Sequence, residues 1–174
     1  MTRHEGGSVP GGRQTGPEST PRLRLKPKAR KSGHVDGAWW PRSDDLPNEL
    51  PDLLAVLSVR LGAIDRVLYN LGEWAQMPKR LMTGGRAVRL DGYTRQPANT
   101  LQVLGVGREK LLLLVVPPHT DPDIAHEAMM TAAAPDDATT VGDLLGIDAQ
   151  EQEEAPPNGY HRPTFRRRVR RFRP

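Results

Sequence analysis

The chain has 174 residues, a formal net charge of +4, 36% hydrophobic and 5% aromatic residues, and no cysteine. That length suits one domain with loose ends, and the missing cysteines exclude disulfides, thiolate nucleophiles and cysteine-ligated zinc. The longest apolar run, residues 111–116, falls far short of the ~20 residues that cross a bilayer, and no apolar signal core opens the chain, so a soluble cytoplasmic protein without a membrane partner is expected.

Residues 1–32 carry eight Lys/Arg against two acids, and residues 1–21 are rich in Gly and Pro with almost nothing apolar between them. Such a segment cannot bury enough surface to offset its ordering entropy, so 1–21 is expected to be a disordered basic tail. Residues 22–148 form the expected single domain, of α+β class. Arg22-Leu23-Arg24-Leu25 alternates with period two and predicts an edge strand, and residues 35–40 predict a second strand, stopped by Pro41. Leu46, Leu50, Leu53, Leu54, Leu57 and Leu61 recur at spacings of three and four, the apolar stripe of a helix. Asp44 or Asp45 can cap it, Gly62 can end it, and Pro51 is expected to split or kink it. From residue 64 to residue 74 the pattern alternates, with Val67, Tyr69 and Leu71 on one face and Arg66, Leu68 and Asn70 on the other.

Gly84-Gly85 between residues 79–82 and 86–90 predicts a tight hairpin, and Gly107 between 100–106 and 110–116 predicts a second. The last of these strands is apolar throughout, which places it centrally, covered on both faces. Thr120 or Asp121, followed by Pro122, starts a helix running to about residue 134, and a short helix is expected at 141–145. Together these elements predict a mostly antiparallel, five- to six-stranded sheet with two main helices. Residues 135–154 then carry seven acids and no Lys or Arg, and residues 155–174 carry seven arginines and no acid. Residues 149–174 read as an acidic linker followed by an arginine-rich tail, disordered in isolation.

The chain contains no phosphate-binding loop, no dinucleotide fingerprint following a strand, and no nucleophile elbow. His119, Asp121, Asp123, His126 and Glu127 cluster in sequence, but acids in a first helical turn are explained by capping and the helix dipole. No catalytic residue, metal ligand or cofactor is therefore assigned. The three tryptophans lie in two stretches, Asp36-Gly37-Ala38-Trp39-Trp40-Pro41-Arg42-Ser43 and Tyr69-Asn70-Leu71-Gly72-Glu73-Trp74. Adjacent tryptophans on a strand face opposite ways, so one belongs to the core. Were the two stretches to pair, Asp36, Trp39, Trp40, Arg42, Tyr69 and Asn70 would form a surface suited to a planar or charged ligand.

The string from Asp36 to Ser43, together with Tyr69-Asn70, the run 89–93 and the run 113–118, resembles an actinobacterial family known only as a domain of unknown function. That resemblance implies a single domain in a bacterial cytoplasm and a GC-rich genome, and no activity. Two readings of function follow. The first is a non-enzymatic binding or regulatory protein that contacts nucleic acid or an acidic protein through Arg166, Arg167, Arg168, Arg170, Arg171 and Arg173, interleaved with Phe165, Val169 and Phe172. The second is a small-ligand-binding or catalytic domain built on the tryptophan stretches.

Overall fold

Six leucines set the larger of two cores. Leu46, Leu50, Leu53, Leu54, Leu57 and Leu61 are all buried along α1 (Leu46–Leu61), whose first turn is capped by the Asp45 carboxylate accepting from the Asn48 N–H. Of the two outcomes expected at Pro51, a split or a kink, the split does not occur, and the helix runs through it. Pro51 forfeits one hydrogen bond, that to the carbonyl of residue 47, while Leu50, Leu53 and Leu54 on either side of it seat in the core. The fold is a computed structural model describing residues 18–28, 33–74 and 77–147.

In chain order, α1 is preceded by β1 (Arg22–Leu25) and β2 (Gly37–Trp40) and followed by β3 (Ile64–Asn70), β4 (Arg80–Thr83), β5 (Arg86–Tyr93), β6 (Thr100–Gly105) and β7 (Lys110–Val115), then by α2 (Pro122–Ala132) and α3 (Val141–Leu145). All seven strands form one sheet in the order β1-β2-β7-β6-β3-β5-β4. The α+β class holds, with two corrections. The sheet has seven strands rather than five or six, because the short segments β1 and β4 both join it as edges. It is also mixed rather than mostly antiparallel, since β2 runs parallel to β7 and β3 parallel to β5. Tight turns dictate only antiparallel neighbours. The long connection at residues 71–79 carries β4 to the outer edge, so the second arm of the Gly84-Gly85 hairpin, not the first, docks on β3. Both glycines have positive φ, 54° and 75°, as a two-residue hairpin turn of this hand requires.

Alternation sorts the side chains onto two faces. Trp39, Val67, Tyr69, Val88, Leu90, Leu101, Val103, Leu111, Leu113 and Val115 pack with the α1 leucines. On the opposite face Val35, Ala38, Leu114 and Val116 pack with Ala125, Ala128, Met129 and Ala132 of α2 and Leu144 of α3, with Trp40 and Leu112 at the margin. β7, third in the sheet and covered on both faces, occupies the inner position its composition predicts. Asp121 caps α2 with its carboxylate on the N–H groups of Asp123 and Ile124, and Pro122 occupies the first turn. No helix among the described residues is long and apolar enough to cross a membrane.

Residues 18–20, which the sequence places in the tail, are bonded to the domain: the Glu18 and Ser19 N–H groups donate to the Asp52 carboxylate, and the Thr20 carbonyl accepts from Arg42. The rest of the N-terminal segment, residues 1–17, and the arginine-rich segment of residues 148–174, including Arg166, Arg167, Arg168, Arg170, Arg171 and Arg173, lie outside the described residues.

Candidate functional site

The two tryptophan stretches do not pair. Strands β7 and β6 stand between β2 and β3, so three strand spacings, about 14 Å, separate them. Trp40 and Arg42 lie at or beyond the carboxyl end of β2 and Tyr69 and Asn70 at that of β3, ends that share one edge of the sheet because β2, β7 and β3 run the same way. Asp36 precedes β2, at the opposite edge.

Each of the six has a structural task. The carboxylate of Asp36 accepts from the Leu112 N–H at 2.8 Å, while its own N–H donates to the Leu112 carbonyl at 2.7 Å, extending the β2–β7 ladder by one step. Trp39 is 1% exposed in the α1 core. Trp40 donates its indole N–H to the Pro118 carbonyl, and the Arg22 guanidinium stacks 3.5 Å from its ring centroid while bonding the carbonyls of Trp40 and Pro41. Burial, then the like charge of Arg42, lowers the pKa of Arg22, opposed by Glu49. Tyr69 is buried against α1, and that burial, with the nearby Asp91, raises its phenol pKa. Asn70 bridges a turn, donating to the Gln96 carbonyl and accepting from the Gly72 N–H.

Beyond Asn70, the Glu73 carboxylate accepts from the Asn99 N–H at 2.5 Å, tying the 71–74 turn to the residues that start β6. Partial burial raises the Glu73 pKa, and the Asn99 hydrogen bond opposes it. The sign of the linkage follows. A carboxyl with a raised folded-state pKa favours folding while protonated, and that contribution is lost as pH rises from the ordinary carboxyl range through the raised value. Glu73→Gln keeps an oxygen for Asn99 and removes the titration. It is expected to be the more stable protein at neutral pH and to lose the advantage below about pH 4, where both side chains are neutral. Urea denaturation at pH 3.5 and 7 checks this, and an equal difference at both pH values would contradict it.

The less obvious feature is the half of the sheet that α2 and α3 leave uncovered. The apolar cluster on their face takes no member from β3, β4, β5 or β6. Alternation against the α1 core turns Arg66, Leu68 and Asn70 of β3, Arg80 and Met82 of β4, Arg89, Asp91 and Tyr93 of β5, and Gln102 and Leu104 of β6 toward this open face. Register then aligns basic residues across strands. Lys110 pairs with Leu104, Leu104 with Arg66, Arg66 with Arg89, and Arg89 with Arg80, one row crossing five strands with four cations in it. At ~4.8 Å per strand the row is about 19 Å long.

Like charges directly opposite one another destabilise a sheet. Two carboxylates offset part of the cost: Arg66 pairs with Asp91 at 3.1 Å, and Arg89 with Asp65 at 2.9 Å. All four groups are partly exposed, so each pair contributes little to stability. Arg80 has no carboxylate within 4.0 Å among the described residues. Beside the row lies apolar surface. Leu68 and Leu104 are half-buried and belong to neither core, while Met82 and Tyr93 are 68% and 46% exposed.

Sequence reasoning missed this row. It placed Arg66 and Leu68 on the face opposite Val67, but no alternation within one strand shows which residues of other strands stand beside them. Two concavities among the described residues are a groove of about 970 Å³ between α1 and the β4–β5 hairpin, and a shallower hollow bordered by Asp44, Asp45, Glu73 and Trp74. His119, adjacent in sequence to the α2 acids, reaches Asp44 at 3.2 Å on the exposed surface. The His/Asp/Glu cluster at the start of α2 thus divides between a cap, Asp121, and this contact.

The architecture defines an α+β domain whose mixed sheet is covered by one long helix on one face and half-covered on the other. Residues 22–132 match the Family of unknown function (DUF5994), and the chain belongs to that family. Neither the curated proteins nor the solved structures compared with the chain gave a match.

Proposed function

We propose that this protein is a soluble, non-enzymatic binding protein of the actinobacterial cytoplasm that attaches to a polyanion, nucleic acid foremost, with the open half of its sheet. One observation carries the reading, the row Lys110–Leu104–Arg66–Arg89–Arg80. Three arginines directly opposite one another, Arg66, Arg89 and Arg80, work against the fold, and Asp65 and Asp91 neutralise only part of their charge. A polyanion laid across them relieves that repulsion and releases its own counterions. Arg166, Arg167, Arg168, Arg170, Arg171 and Arg173 add a second, sequence-local basic element to the same reading. A GC-rich genome enriches arginine everywhere, which accounts for a tail more easily than for a row assembled from four separate strands.

The test is fluorescence anisotropy of the full chain on a labelled single-stranded 12-mer between 50 and 300 mM salt. Each engaged cation contributes about 0.7 to the log–log salt slope on a single strand. The triple substitution Arg80→Gln, Arg89→Gln, Lys110→Gln is therefore expected to flatten the slope by about 2. Substituting the six tail arginines by glutamine in a separate chain measures the tail's share. A slope that the triple substitution leaves unchanged overturns the assignment to the sheet.

A further inference from the structure

Resting on that reading, we propose that the open sheet face is built for single-stranded nucleic acid, with phosphates on the basic row and unstacked bases on the apolar surface beside it. A duplex offers a protein phosphates and groove edges but keeps its base faces stacked inside. To read a major groove about 12 Å wide, a protein inserts a helix or a two-stranded ribbon. The open half here is the face of a four-stranded platform, β6-β3-β5-β4, with no described helix packed over it in the apolar cluster of that side.

A single strand can use both kinds of surface this face presents. In the row, Leu104 sits between Lys110 and Arg66. One step along the strands, Leu68 lies between Gln102 and Asp91. A further step brings Tyr93 beside Asn70, about 13 Å from Arg89 along β5. Met82 flanks the row on β4, opposite Ala87. The exposed phenol ring of Tyr93 and the Met82 thioether give π and polarisable surface for bases. Gln102 and Asp91 supply an amide and a carboxylate within that patch, groups that can bond a base edge. Purely electrostatic capture of a duplex leaves Tyr93, Met82, Leu68 and Leu104 with nothing to do. A single strand occupies them.

The experiment compares the full chain, at 100 mM salt, on labelled oligo(U) 12-mer, oligo(dT) 12-mer and a 12-base-pair DNA duplex. The single strands are expected to bind at least tenfold tighter than the duplex, although the duplex carries more charge. Tyr93→Ala is expected to weaken single-strand binding on the order of fivefold or more, with the salt slope unchanged and duplex binding unaffected. Tyr93→Phe should restore it. Met82→Ala, at a position too exposed to threaten folding, should weaken it in the same direction. If the duplex binds as tightly as the single strands, or Tyr93→Ala and Met82→Ala leave single-strand binding unchanged, the single-strand assignment is wrong while the polyanion reading survives. If no probe shows binding that depends on the basic row, the polyanion reading itself fails.

Discussion

Trp39→Ala is expected to cost about 3–5 kcal/mol of folding stability, the range for removing a large buried aromatic. Trp39 is 1% exposed and packs in the cluster that holds the α1 leucines, with Leu23 and Leu25 of β1 against it. It also stands where β2 pairs with both neighbours, opposite Leu23 on one side and Val115 on the other. The cavity left by its indole therefore opens at the junction of three strands, where relaxation is limited because each backbone is held by its ladder. A cost of that size is a large fraction of the stability of a domain this long. Trp40→Phe is the contrasting variant. It keeps a ring under Arg22 and loses the hydrogen bond to Pro118, so a cost near 1 kcal/mol is expected. Urea denaturation followed by far-ultraviolet circular dichroism measures both. A Trp39→Ala protein within 1 kcal/mol of the parent would mean the ring is not the keystone of this core, and would reopen the tryptophan stretch as a ligand surface.

Local patterns in the chain were readable wherever one element explains itself. The six α1 leucines, the Gly84-Gly85 turn, the Asp121-Pro122 helix start, the apolar β7 and the division of Trp39 from Trp40 each follow from spacing or from a single conformational demand. What was not readable is everything that depends on which strands lie side by side. The parallel pairs β2–β7 and β3–β5 join elements far apart in the chain, and no turn residue announces them. The same gap explains both outcomes at the candidate sites. Asp36 and Arg42 look like a charged constellation around tryptophan, but each is used locally: Asp36 completes a ladder and Arg42 holds the Thr20 carbonyl. The basic row, in contrast, is made of residues that look like ordinary solvated positions in four separate strands, and it exists only through register. Pro51 is a third kind of case, where propensity alone predicts a break but six buried leucines hold the helix through it.

Gly37→Ala is expected to dislodge β1 and lower stability by about 1–3 kcal/mol, the usual range for forcing a methyl into filled space. A Cβ on Gly37 points into the backbone of β1, running into the Arg24 carbonyl oxygen and lying 2.8 Å from the Leu25 Cα. Those are main-chain atoms fixed by the β1–β2 register, in which Leu25 stands opposite Gly37. No side-chain rotation can clear them, so the strands must separate at this end. Separation also undoes what β1 contributes elsewhere: the Lys26 N–H on the Asp36 carbonyl, the packing of Leu23 and Leu25 on the α1 core, and, at the far end, the Arg22 stack on Trp40. Arg22→Ala is the control that removes the stack and its two carbonyl bonds without touching the Gly37 contact. If the clash is the cause, Gly37→Ala speeds amide exchange first at Lys26, whose N–H bonds the Asp36 carbonyl, whereas Arg22→Ala leaves that amide protected. An exchange rate at Lys26 that matches the parent in the Gly37→Ala protein would show that the sheet accommodates a methyl there, and the requirement for glycine beside Asp36 would then need another cause.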